Sequence, residues 1–262
     1  MSLLCLVIAI ALGALALGAA PAHAATVDLA LVLAVDVSES VDAQEYELQH
    51  EGIARAFETA PLVEAIRGGK NGAIDVLVIE WSDRDKQVVT VDWTRVSDAA
   101  SAAGFAARVR AAPRSSNGLT AIGDALLAAE TALQRLPDQA ERRVVDLSGD
   151  GIANIGPPPQ AVRDRLVAEG ITINGLAILK TEPWLDSYYD QYVVGGPGGF
   201  LMQVEDFPTF ISAMQQKLLA EVTATLPQRR ADAREPRQAR AKGGAERSAP
   251  PLPQMQIKCS RS

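Results

Sequence analysis

Apolar and polar positions along the chain fall into blocks that switch between two periods. Leu29-Ala30-Leu31-Val32-Leu33-Ala34-Val35 is apolar at every position, which predicts a strand buried on both faces of a parallel sheet. Asp42-Ala43-Gln44-Glu45 then reads as a capping box, and Ile53, Ala56, Phe57 and Ala60 mark one face of the helix it opens. Ile74–Trp81 and Gln87–Trp93 predict a second and a third strand. Only Ser82–Lys86 separates them, so they form a hairpin and one edge strand runs antiparallel. Helices follow over Asp98–Arg110 and Thr120–Leu136, the second with Ile122, Ala125, Leu126, Ala129, Leu133 and Leu136 on one side. Arg143–Leu147 is a fourth strand, and Pro157–Pro159 open a helix where a missing N–H costs nothing. Ile171–Leu179 is a fifth strand and Phe200–Val204 a short sixth. Asp206 caps a last helix, with Phe210, Ile211, Met214 and Leu218 facing inward. This alternation predicts an α/β fold: a doubly wound, mostly parallel six-stranded sheet with one antiparallel edge strand and helices on both faces. Such sheets bind ligands beyond the carboxyl ends of their strands, where strand order reverses.

Both ends depart from this pattern. Leu3–Ala20 is an almost unbroken apolar run, followed by Pro21 and the small-x-small box Ala22-His23-Ala24. It predicts a signal peptide over residues 1–24, an exported chain that is periplasmic or secreted, and no integral membrane segment after cleavage. The leader carries no Lys or Arg. Cys5 sits too early, behind the large Leu4, to carry a lipid. From about Leu226 the periodicity dissolves into Gln, Arg, Ala, Pro and Gly. Residues 226–262 therefore read as a disordered basic tail behind a domain over 25–225.

Charge sharpens that division. The chain holds 25 basic and 32 acidic residues, a net of −7. Nine Lys/Arg stand against three Asp/Glu in the tail, which leaves 16 against 29 over 26–225, a net of −13. So acidic a body argues against nucleic acid as a partner. Only two cysteines (Cys5, Cys259) and two histidines (His23, His50) are present, which excludes zinc clusters, iron–sulfur sites and Cys-x-x-Cys redox centres. Any metal must be a hard ion held by oxygen.

Three segments place small oxygen-bearing side chains at predicted strand ends or helix starts. They are Asp36-Val37-Ser38-Glu39-Ser40, Ser116-Asn117-Gly118-Leu119-Thr120 and Ser148-Gly149-Asp150-Gly151. Two carboxylates and three hydroxyls, completed by water, suit an octahedral Mg²⁺. Asp-x-Ser-x-Ser alone is weak, because Asp and Ser are ordinary turn residues.

Asp36, Ser38 and Ser40, then Thr120 after 84 residues from Asp36, then Asp150 after 30 more, resemble the metal-ion-dependent adhesion site of the von Willebrand factor type A domain. The resemblance covers about Val27 to Thr223. Glu80-Trp81-Ser82, Ser148-Gly149-Asp150-Gly151 and Gly195-Gly196-Pro197-Gly198-Gly199 are most similar to a secreted bacterial subfamily of unknown function. The resemblance implies that Ser38, Ser40 and Thr120 approach a Mg²⁺ or Mn²⁺ directly. It implies that Asp36 and Asp150 act directly or through water, with one position open for a partner's Asp or Glu carboxylate. Glu39 departs from the family, where a small residue is usual.

Other polar residues have ordinary roles. Asp42 is a helix cap, Asp124 a solvated or supporting acceptor, Asn154 a turn residue within reach of the site, and His50 a surface or satisfied side chain. Glu80 is paired or at an edge, with its role open; Trp81 and Trp93 are core or sheet-face residues. The leading function is a non-enzymatic, metal-dependent protein-binding module. The alternatives are an accessory domain whose metal stabilises its loops, and a Mg²⁺-dependent hydrolase using Asp36 as nucleophile. A haloacid dehalogenase would have Asp at position 38, where this chain has Ser. A serine hydrolase would have only His50 as base after leader removal.

Overall fold

A computed structural model describes residues 25–180 and 182–224. The expected signal peptide and basic tail lie outside the described residues. In chain order the strands are β1 (Thr26–Val27), β2 (Leu29–Asp36), β3 (Ile74–Trp81), β4 (Gln87–Val96), β5 (Gln139–Ala140), β6 (Arg143–Gly149), β7 (Ile171–Ile178) and β8 (Leu201–Val204). The helices are α1 (Ala43–Phe57), α2 (Ala60–Arg67), α3 (Ala99–Ala111), α4 (Ile122–Gln134), α5 (Pro159–Ala168), α6 (Leu185–Tyr192) and α7 (Phe207–Thr223).

The main sheet has the order β4-β3-β2-β6-β7-β8, parallel except for the β3–β4 hairpin. All eight residues of β2 are buried because helices cover both faces. Leu29, Leu31, Leu33 and Val35 enter one core layer with α1, α2, α3 and α7. Ala30, Val32 and Ala34 enter the other with α4, α5 and α6. The fold is the doubly wound α/β sheet that the hydrophobic pattern predicts, with its antiparallel strand at the β4 edge. A two-residue parallel pair, β1 with β5, adds a second small sheet. Among the described residues no helix is long and apolar enough to cross a membrane.

Three local departures have physical causes. The first helical face does not run on to Ala60: α1 stops at Phe57, and Pro61, lacking an N–H, sits in the first turn of a separate α2. The helix expected from Thr120 starts at Ile122, because both backbone polar groups of Thr120 are held by Asn154 instead. On α7, Ile211 is only half-buried, while Lys217 and Glu221 lie on the inward face with Phe210, Met214 and Leu218.

Candidate metal centre

From β2 the chain winds outward through β3 and β4, then returns to build β6, β7 and β8 on the other side of β2. Strand order therefore reverses between β2 and β6. Asp36 ends β2, and Asp150 follows the last residue of β6. Asp36 Oδ1 accepts the Ser38 N–H at 2.8 Å, which turns the chain sharply at the strand end. Ser38 Oγ and Ser40 Oγ lie 3.1 Å apart, and Ser40 Oγ donates to Asp150 Oδ1 at 2.6 Å. Thr120 is buried beside them. Asn154 Oδ1 accepts its N–H at 2.8 Å, and the Asn154 N–H donates to its carbonyl at 3.1 Å. Thr120 Oγ1 lies 3.7 Å from the point where a Cβ on Gly151 would sit. The five residues singled out in the sequence thus meet above the switch point.

The site is electrostatically loaded. Asp36 is 0% exposed, and its Oδ2 has no hydrogen-bond partner among the described residues. Burial, then the charge of Asp150, pushes the Asp36 carboxyl up to about 7; hydrogen bonds from Ser38 and Asp150 only partly offset this. Burial also raises Asp150, against the hydrogen bond from Ser40. Tyr189 lies beneath, fully buried, its hydroxyl raised well above the ordinary tyrosine value by burial and then by Asp36 and Asp150. A Cβ on Gly149 would stand 2.5 Å from Tyr189 Oη and 2.8 Å from Asp36 Oδ2, so only glycine lets β6 pass between them. Among the described residues no three His, Cys, Asp or Glu side chains cluster as a metal set. The donors here are two carboxylates supplemented by hydroxyls, and that donor set fits a hard divalent cation.

A family model described as protein of unknown function (DUF1194) matches residues 26–226. The chain belongs to that family. No curated protein matches the DUF1194 chain in sequence. Its fold is that of von Willebrand factor type A domains. Proximal thread matrix protein 1 of the mussel byssus, solved with a zinc-occupied MIDAS motif, is 18% identical; the match covers 76% of this chain and 49% of that one, with a TM-score of 0.53. The von Willebrand factor domain of the type V pilus tip protein Mfa5 from Porphyromonas gingivalis is 10% identical, covering 78% of this chain and 97% of that one, TM-score 0.54. A von Willebrand factor type A protein from Catenulispora acidiphila is 18% identical over 75% of this chain and 43% of its own, TM-score 0.51. At such identities the likeness is one of fold. The DUF1194 chain spans about half the length of the mussel protein.

Sequence reasoning missed the supports of this centre in the DUF1194 chain. Arg114 is the chief one: its Nη2 donates to the carbonyls of Val37, Ser38 and Val41 at 2.8, 3.0 and 2.8 Å, and its Nε to Ser116 O at 3.1 Å. One guanidinium thus fastens the Asp36–Ser40 loop to the segment leading into Thr120. Next to it, Glu80 Oε2 accepts the Ser115 N–H at 2.7 Å, while Oε1 meets His50 Nε2 and Tyr46 Oη at 3.0 Å each. Burial raises the Glu80 carboxyl, but the hydrogen bonds from His50 and Ser115 outweigh it and the net shift is downward. His50 Nδ1 lies against Tyr46 O at 3.1 Å. Both ring nitrogens are occupied, as expected of a satisfied histidine rather than a base. Asp42 forms the expected capping box with Glu45. Asp124 Oδ2 is buried beside Gly156, and Trp81 is fully buried. Nothing in an isolated Arg114 or Tyr189 marks it in the sequence; the register that brings each to the loop is set by the tertiary fold.

Proposed function

We propose that this chain is an exported protein-binding module that holds a divalent cation through Asp36, Ser38, Ser40, Thr120 and Asp150. The observation that carries this reading is the buried, unpartnered Asp36 Oδ2 beside Asp150 and three hydroxyl residues at the strand-order reversal. Mg²⁺ or Mn²⁺ suits such oxygen donors, and the zinc in the mussel protein's MIDAS motif supports a divalent ion. A cation bound there supplies an electrophilic position for an Asp or Glu carboxylate of a partner protein. This chain's own residues orient the donors: Arg114 holds the loop, Asn154 holds Thr120, and Gly149, the last residue of β6, lets Asp36 and Asp150 approach. A hydrolase reading finds little support, because His50 is fully engaged with Glu80 and Tyr46.

The test is linkage. A cation that binds only the folded site stabilises it by about 2.7 kcal/mol at a hundredfold excess over its dissociation constant. For a domain of this size, that raises the melting temperature by roughly 5–11 °C. Millimolar Mg²⁺ or Mn²⁺ should produce the rise, EDTA should reverse it, and Asp150→Ala should abolish it in a protein that still folds. A full shift in Asp150→Ala refutes the ligand assignment. No shift in the parent chain refutes the metal reading itself. A partner captured in Mg²⁺ and released by EDTA separates a binding module from a merely metal-stabilised domain.

A further inference from the structure

A second cluster of charges lies at the amino ends of the strands, away from the candidate metal centre. Asp75 is the second residue of β3, whereas Asp36 pairs with Trp81 at the carboxyl end of that strand. Asp75 stands opposite Arg95 across the β3–β4 pair, and Arg95 Nε lies 3.5 Å from Asp75 Oδ1. The same guanidinium donates through Nη2 to Asp138 Oδ2 at 2.8 Å. Asp138 immediately precedes β5, and its other oxygen, Oδ1, accepts the backbone N–H of Ala25 at 3.0 Å. The Gln139 N–H then donates to Ala25 O, and the Glu141 N–H to Val27 O, at 3.0 Å each. These bonds lay β1 alongside β5.

The charges of this cluster do not balance, because two carboxylates share one guanidinium. The Asp75 side chain is 2% exposed, and its Oδ2 has no hydrogen-bond partner among the described residues. Burial, then the charge of Asp138, pushes the Asp75 carboxyl above its ordinary range, and Arg95 only partly offsets this. The neighbouring Lys70 brings no relief, since its ammonium is paired with Glu141. A positive charge beside Asp138 would complete the set. As an amide, the Ala25 nitrogen offers only a dipole. As a free α-amine, with an ordinary pKa of about 8, it carries that charge at neutral pH. A hydrogen bond from an ionised donor is also about twice as strong as a neutral one. Ala25 is the residue that follows the Ala22-His23-Ala24 box, so the nitrogen facing Asp138 is the one that cleavage after Ala24 releases.

We propose that Asp138 is the anchor for the processed amino terminus: cleavage after Ala24 turns the Ala25 nitrogen into an ammonium that completes the Asp75–Arg95–Asp138 cluster and fastens β1 to β5. This rests on the export reading of the chain and is independent of the cation reading. The domain gains stability at the step that separates it from its leader, and an uncleaved chain lacks that gain. Because Asp138 is 21% exposed, the gain is that of a partly screened pair.

The experiment compares three forms of the chain, all ending at Ser262: one that begins with a free amine on Ala25, one with a single Gly ahead of Ala25, and one that keeps Pro21–Ala24. At pH 7 and low salt the form that begins at Ala25 should melt about 1–4 °C above the other two. Salt at 1 M should narrow the gap, since it screens charges that solvent reaches. Asp138→Asn keeps an oxygen to accept the N–H but removes the charge, so it should close the gap. Equal melting of the three forms, or a gap that survives in Asp138→Asn, overturns the anchor. Amino-terminal sequencing of the exported protein tests the premise separately. A mature chain that begins elsewhere than Ala25 overturns the export step and the proposal with it, whereas equal melting of a chain that does begin at Ala25 overturns the proposal alone.

Discussion

Removing one buried cation outside the candidate metal centre should destabilise this domain's core more than the changes at that site argued below. Lys217 Nζ on α7 lies 2.6 Å from Asp146 Oδ1 on β6 and 2.7 Å from Glu221 Oε1, and none of the three side chains is more than 1% exposed. Glu221 Oε1 also accepts from Asn174 Nδ2 at 2.9 Å, and the ammonium stands 4.8 Å from the Phe200 ring. Burial, then the charge of Glu221, pushes the Asp146 carboxyl up to about 8. Burial disfavours the charged form of Lys217 too, but the two carboxylates outweigh it and hold its proton firmly. At neutral pH Asp146 is largely protonated, and the Lys217 ammonium supplies the positive charge that balances this acidic cluster.

Lys217→Met keeps the aliphatic stem and strands the carboxylate. Breaking a buried pair in this way costs about 3–5 kcal/mol. In a fold of about 200 residues that is a fall of roughly 6–20 °C in melting temperature. The pH dependence is the sharper reading. The raised Asp146 carboxyl means that Asp146 alone keeps about one more proton in the native parent than in the unfolded chain between pH 4 and 8, so its contribution to stability falls as pH rises through that window. Without that ammonium the variant must carry one more proton on the buried cluster to fold. The gap between parent and variant should therefore close by about 1.4 kcal/mol per pH unit as pH drops from 7 to 5. Urea unfolding at pH 5, 6, 7 and 8 measures this. A further variant with Lys217→Met, Asp146→Leu and Glu221→Leu should recover much of the loss, since apolar replacement of a whole buried charge cluster is often neutral or better. A variant as stable as the parent at pH 7, or a gap that does not change with pH, refutes the charge balance.

Two further changes probe the centre's framework. Gly149→Ala places a methyl group 2.5 Å from Tyr189 Oη and 2.8 Å from Asp36 Oδ2; it should cost about 1–3 kcal/mol in urea unfolding and remove the cation-dependent melting shift. Arg114→Lys keeps the charge but loses the planar fork that holds Val37, Ser38 and Val41; it should lower stability by about 1–3 kcal/mol and weaken the cation shift, with Arg114→Ala no better.

The legible part of this chain was whatever repeats with a period. β2, β3 and β7 are mostly apolar and buried along their whole length, and each reads as a strand despite the buried Asp75, Glu80, Thr172 and Asn174 within β3 and β7. The capping box at Asp42 and the N-cap at Asp206 reveal helix starts because the cap is a local hydrogen bond between near neighbours. Helix α6 was missed: only Leu185 and Tyr189 of its eight residues are buried, too few to set a helical period. Lys217 and Glu221 were missed for the opposite reason, since charged residues at inward positions look like a solvated face until Asp146 is found across the sheet. The five candidate ligands could be singled out because they lie in or beside the short links that follow predicted strands or precede predicted helices. Arg114, which shapes their loop, lies in an irregular segment and acts through three carbonyls that carry no signature of their own.

The chain's handling of acids elsewhere bears on what the centre is for. Several other buried carboxylates meet a partner supplied by the chain itself: Lys217 for Asp146 and Glu221, Arg95 for Asp75, and the N–H groups of Asn71 and Gly72 for Asp28. Asp36 is as deeply buried as any of them and makes no ion pair among the described residues. The nearby Lys180 is drawn off by Glu45. Hydroxyls surround the pair instead, and hydroxyls coordinate a metal but cannot cancel charge. Leaving two acids raised and close together destabilises the fold, as the upward push on both carboxyls records. An Arg or Lys at this position would relieve that strain and close the site. Donors kept neutral or anionic, with Arg114 and Asn154 holding them from behind, support the proposal that the site takes its positive charge from outside.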